Sequence, residues 1–181
     1  MSVMRMPEVE DVVGQPLNVQ FETFLDQHRV LLSQCLDGLT EEQARWRLVP
    51  SKTTLLGLVK HATFVEKVWF QEAVTGGSRA DLDIHDGPDE SFDLVDSDTI
   101  MGVREAHAQV CKASRQAVAI LSPTDLLPGN RRGPLPLSWV YLHVLRELAH
   151  HCGHDDILRE QILSLPPRPE TGAGPGSTPG G

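Results

Sequence analysis

Between Tyr141 and Glu160 the sequence reads as one long helix, and four of the chain's eight histidines, at 143, 150, 151 and 154, fall within twelve of its residues. Placing this segment on a wheel at 100° per residue, with Glu147 as origin, puts Val140 and Leu158 near about +20°, Val144 and Ile162 near +60° and Leu137 near +80°. The apolar stripe is therefore centred at about +50°. His151, at about +40°, lies inside it. Glu147 and His154 (about −20°) stand on its shoulder, while His143 and His150, at about −40° and −60°, approach its edge. Such a helix must bury its stripe against other helices. A carboxylate and two imidazoles interrupt that stripe, so the interior must supply a charge partner, a hydrogen-bond network or a metal ion, because an unpaired buried charge costs several kcal/mol.

Three further segments have helical periodicity. After Pro16, apolar residues at Phe21, Phe24, Leu25, Leu32, Cys35 and Leu36 recur at helical spacing up to Gly38. Thr40 followed three residues later by Gln43 is a capping-box pattern for a short turn. A second helix is expected after Thr53 as N-cap, running to about residue 74 before Gly76-Gly77, with a stripe of Leu55, Leu58, Ala62, Val65 and Trp69. His61 points to the same side of it. A third spans residues 97–121, starting at Ser97 or Asp98, with Ile100, Val103, Val110, Ala117, Val118 and Leu121 as core candidates and His107 on their face. The fourth, residues 137–165, carries the histidines and stops at Pro166-Pro167.

The connection between the second and third helices, residues 76–96, is rich in Asp, Gly and Ser and far longer than a bundle turn needs. It is either a crossover along the bundle or a functional lid. No strand-like alternation competes with these segments. The expected fold is an all-α four-helix bundle over residues 17–165, with a flexible acidic N-terminus (1–16) and a disordered Pro/Gly-rich tail (166–181).

At 181 residues the chain suits one domain. A net charge of −9 without any Lys/Arg run argues against nucleic acid as a partner. No signal-like or membrane-spanning apolar run is evident, so the sequence predicts a cytoplasmic protein without membrane association. Cys35, Cys111 and Cys152 are odd in number and never in Cys-x-x-Cys, which argues against a disulfide framework or a thiolate zinc site. Their expected state is reduced and buried, with Cys152 as a minor candidate nucleophile.

Glu147 and His151, at i and i+4, lie over one patch of helix and can converge on one ion. His61 would complete a His-His-Glu set with positions left open, as in catalytic rather than structural zinc sites. The alternative is a buried Glu-His network without metal. His150 and His154 form a second i, i+4 pair, but His150 lies about 110° from the stripe centre, which leaves His154 as an outer-shell or fourth contact. His28 and His107 read as hydrogen-bonded core residues, and His85 as part of a solvated loop.

At these residues the chain resembles the DinB-like metal-dependent bundle superfamily, near its mycothiol-dependent maleylpyruvate isomerases and S-transferases. The resemblance is carried by Thr54–Phe70 and, more specifically, by Glu147–Glu160, and covers about residues 17–165. It implies a divalent metal, zinc or nickel, held by His61, Glu147 and His151. Many DinB-like members have histidine where this chain has Glu147, and the glutamate points to the mycothiol-using branch. The implied chemistry is a metal-activated low-molecular-weight thiol attacking a small electrophile, as an S-transferase or isomerase. His154, or His28 or His107, would shuttle a proton, and Arg131 and Arg132 would meet a cosubstrate carboxylate or simply be solvated.

A non-catalytic metal-binding or stress-associated bundle is the competing reading. Paired Glu-x-x-His motifs of a di-iron oxidase and the His-Glu-x-x-His of a zinc protease are both missing from the sequence. Bundles of this type can pair through helix faces as homodimers, although no exposed heptad singles out such a face.

Overall fold

The computed structural model describes residues 8–166. Four long helices carry the architecture: α1 (Leu17–Gln34), α2 (Leu55–Glu66), α3 (Ile100–Val118) and α4 (Leu137–Ser164). The all-α bundle is therefore the observed fold. Its one sheet among the described residues is a two-residue antiparallel pairing, Leu126–Leu127 with Leu135–Pro136, closing the loop before α4.

Helix starts follow local hydrogen bonding. At the single turn Glu41–Ala44 the capping box forms, with Thr40 accepting from the Gln43 backbone. Helix α2 is capped by Thr54 rather than Thr53, since it is the Thr54 hydroxyl that accepts from Gly57 N. Helix α3 begins later than the sequence suggests, after Thr99, which accepts from Gly102 N. Asp98 is already committed to Val95 N and the Lys60 ammonium. Helix α3 also ends at Val118, and its buried seam is Val103, His107, Cys111, Ser114 and Val118, with Val110 and Ala117 only half-buried. On α1, Phe24, one of the apolar residues at helical spacing, is exposed at 37%.

Helix α2 passes without a break into a π-helical stretch, Lys67–Glu72, and a last α turn, Ala73–Thr75. Gly76 ends it at φ 65°, a left-handed conformation that glycine adopts without a Cβ penalty. Gly129 packs against this end, its N–H donating to Ala73 O, so close that a Cβ there would lie 2.2 Å from Glu72 O. The loop bearing Arg131 and Arg132 is thereby fastened to the end of α2.

The apolar core has two parts. One contains Leu25, Val65, Phe70, Leu137, Val144 and Leu148; the other contains Leu36, Trp46, Leu56, Val103, Leu158 and Ile162. Polar residues lie between them along the chain: His61 on α2, His107 on α3, and His151 and Asp155 on α4, all buried. In the same interior Arg29, 4% exposed, makes a two-pronged pair with Glu66, 0% exposed, at 2.8 and 2.9 Å.

The acidic start, expected to be loose, contains in its described part a 3-10 turn, Val9–Val12, that buries Val12. The Pro/Gly-rich tail from residue 167 onward lies outside the described residues. Among the described residues, no helix is long and apolar enough to cross a membrane.

Candidate metal centre

His61, Glu147 and His151 come together. Each offers one ligand atom, and these atoms lie within 4.8 Å of one another. Helix α2 supplies the first and two successive turns of α4 the others, as the wheel requires.

The hydrogen bonding around the three side chains leaves ligand atoms free. Ser91 Oγ donates to Pro88 O at 2.5 Å, so towards Nδ1 of His61, 2.7 Å away, it acts as acceptor. His61 is thus the Nδ1–H tautomer with the Nε2 lone pair available, the arrangement in which metal-binding imidazoles are held by an outer partner. Phe92 stacks on the ring at 4.1 Å between centroids and 13° between planes. On Glu147, Oε1 accepts from Arg146 at 3.0 Å while Oε2 faces His151 Nε2 at 3.9 Å. That separation exceeds a hydrogen bond, and both buried ring nitrogens of His151 lack a protein partner. A closed Glu-His network would have satisfied them. Orphaned imidazole nitrogens facing a carboxylate and a second imidazole fit a divalent cation with nitrogen and oxygen ligands.

Protonation states agree with this. Burial pushes His61 down to about 4, with His151 acting in the same direction and Glu147 against it. Burial likewise lowers His151, opposed by Glu147. Burial alone would raise Glu147, but the Arg146 hydrogen bond and the charges of His143 and His151 outweigh it and hold the carboxyl below its usual range. At neutral pH the cluster is two neutral imidazoles and one carboxylate, the forms that bind metal.

A cavity of about 520 Å³ opens beside the cluster, lined by His61 and Glu147 together with Trp69, Trp139 and His143. With Glu147 30% exposed, the centre communicates with solvent.

Other singled-out residues lie elsewhere. His154 is exposed, its ring 6.0 Å from His151 and 4.7 Å from His150, and it lines a separate depression with Val49, Ser51 and Ile157. His28 is half-buried with Nδ1 donating to Phe24 O at 2.7 Å. His107 is buried against Cys111, 3.4 Å from its sulfur. Burial pushes the Cys152 thiol up to about 12, which leaves it protonated at neutral pH and unsuited as a nucleophile.

Sequence reasoning missed Ser91 and Phe92, which belong to a 3-10 turn, Asp89–Phe92, inside the long connection. No local signal marks them. It also missed Asp155, although this residue shares Leu137's angular position at about +80° and is 2% exposed. Missed too was the Trp139–His143 stack, 5.1 Å between centroids and 9° between planes.

Fold and site together define a helical bundle whose interior carries a two-histidine, one-carboxylate cluster suited to a divalent ion. The chain belongs to the mycothiol S-transferase family, whose model matches residues 20–163. No curated protein matches it.

Proposed function

We propose that the protein is a metal-dependent S-transferase that joins mycothiol, or a closely similar low-molecular-weight thiol, to a small electrophile. Family membership supports the thiol, and the convergence of His61, Glu147 and His151 is the observation that carries the metal. Zinc is the ion that two imidazoles and a carboxylate suit best, with nickel next. A divalent cation held there would lower the pKa of a thiol bound to it and so make thiolate available at neutral pH.

The chain's own part is to hold that chemistry in place. Ser91 fixes the His61 tautomer, and Phe92 blocks one face of its ring. Arg146 neutralises the Glu147 oxygen that points away from His151. His61, Glu147 and His151 would hold such an ion with only three protein ligands, beside a cavity that a thiol could enter, which favours catalysis over a closed structural site. The thiol proton leaves to solvent or to an outer histidine. The exposed ring of His154, facing a different depression, gives that role no support. A cytoplasmic location goes with this reading, because cytosolic thiols are kept reduced and all three cysteines are free.

Elemental analysis of the purified chain, paired with thiol–electrophile turnover, tests the proposal. One divalent ion per chain and turnover abolished by His151→Ala are expected. A chain that binds no divalent ion under any loading condition would falsify it. Metal binding that raises stability without any turnover over a panel of electrophiles would favour the non-catalytic bundle instead.

A further inference from the structure

The second histidine pair of α4 has no part in the centre described above. His150 and His154 are both exposed and stand one turn apart on the helix. Among the described residues neither ring makes a hydrogen bond to the protein, whereas His28, His61 and His143 each have a ring nitrogen engaged. Two imidazoles at i and i+4 share one face of a helix, a spacing that lets both reach one ion. Because the helix fixes both anchor points, little ordering is left for the ion to impose.

The spacing of the rings agrees. Two imidazoles bound to one ion at about 2.0–2.1 Å, and at about 90–110° to one another, place their ring centroids roughly 4.5–5.2 Å apart. The centroids of His150 and His154 are 4.7 Å apart. Those of His61 and His151, which the buried centre brings together, are 4.8 Å apart. His151 lies 6.4 Å from His150 and 6.0 Å from His154, beyond that range, so the exposed pair is a chelate of its own. No third group completes it, since the one cluster of three ligand residues among the described residues is His61, Glu147 and His151. An ion held by two imidazoles keeps water in its other positions, and the depression beside His154, about 270 Å³ with Ser51 and Gln161 on its wall, leaves room for it. Nitrogen ligation of this kind suits copper(II), nickel and zinc and not calcium or magnesium, which take oxygen.

We infer that His150 and His154 bind a second divalent ion of the zinc, nickel and copper group on the surface of α4, more weakly than the buried centre binds its own. Two neutral, solvated ligands hold an ion less firmly than two imidazoles and a carboxylate in a buried site. The inference goes beyond the thiol-transfer reading and does not depend on it.

The test is isothermal titration of the full chain with zinc, in a buffer that does not coordinate metal. Two classes of site are expected, one ion in each, the second at least about tenfold weaker than the first. The double change His150→Ala/His154→Ala should keep the tight class and abolish the weaker one. Either single change should weaken that class by at least about tenfold, because one imidazole is no chelate. Both residues are exposed and alanine favours helix, and circular dichroism checks that the variants fold. A weaker class that survives the double change belongs to other groups and overturns the inference. Repeating the titration on His61→Ala separates it from the reading above. Loss of the tight class with the weaker one intact upholds both sites. A single class of site that falls with His150 and His154 but not with His61 upholds the surface pair and removes the centre. A single class that falls with His61 alone does the reverse.

Discussion

Ser91 Oγ lies 2.7 Å from Nδ1 of His61 while giving its own proton to Pro88 O, so a serine in the long connection dictates which nitrogen of a helix histidine is free. Removing the hydroxyl leaves the tautomer unset. Ser91→Ala is expected to weaken metal binding by roughly 10–100-fold with the fold intact. Competition against a chromophoric chelator reads this directly, and an unchanged affinity would show that Ser91 does not set the tautomer.

Metal loading should also be visible as stability. A cation at about 100 times its Kd adds roughly 2.7 kcal/mol, which for a domain of this size is about 5–10 °C in Tm. The wild-type chain should show that rise over its chelator-treated form. His151→Ala, which keeps the helix and deletes a ligand, should melt at the same temperature with and without metal.

The Arg29–Glu66 pair makes a separate prediction about the fold. Glu66 is 0% exposed and depends on Arg29 for both its oxygens. Arg29→Met strands a buried carboxylate, which costs about 3–5 kcal/mol. Chemical denaturation of Arg29→Met against the double change Arg29→Met/Glu66→Leu checks the cause: the second substitution should restore much of the loss. If the double variant is no more stable than the single one, the penalty lies in packing instead.

Asp155 predicts how stability depends on pH. Burial, helped by the charge of Asp156 and opposed by the Cys35 thiol, pushes its carboxyl up to about 8. The unfolded chain releases that proton near the ordinary value of about 4, so between the two pH values the folded state holds one proton more. Stability from this group is therefore full below about pH 4 and is lost progressively as pH rises to about 8. Asp155→Asn keeps the shape without the ionisation. It should flatten that part of the profile and leave the variant more stable than wild type at pH 8, by a few kcal/mol at most. Denaturant midpoints across pH 5–9 measure it, and parallel profiles for the two proteins would rule Asp155 out as the source.

What the sequence made legible was whatever follows from helical periodicity. Leu137, Val140, Val144, Leu158 and Ile162 define one side of α4, and Glu147 and His151 stand out because they interrupt it. His61 stands out in the same way against Leu58 and Val65. Periodicity does not report which polar residues are paired. Arg29 and Glu66 each look like ordinary surface charges, and only the packing of α1 on α2 makes them a buried pair. Ser91, Phe92 and the arginine loop escape for another reason: their positions depend on where long connections cross the helices, and no spacing rule covers that. Asp155 is the instructive miss. Its angle is that of Leu137, about +80°, and nothing else in the surrounding sequence marks a carboxylate there as buried.

The π-helical stretch Lys67–Glu72 interrupts the α pattern of the second long helix where Trp69 and Glu72 line the cavity. Such a bulge is, in effect, one residue more than an α-helix needs to span the same length. The shape of the cavity wall is therefore encoded by chain length as well as by residue type. Removing a single residue here would return the helix to an α path while leaving Ala73–Thr75 and the seat of Gly129 close to their present register, so that the change falls on the wall residues Trp69 and Glu72 themselves. An insertion–deletion scan across this segment would alter the site in ways that no substitution reproduces.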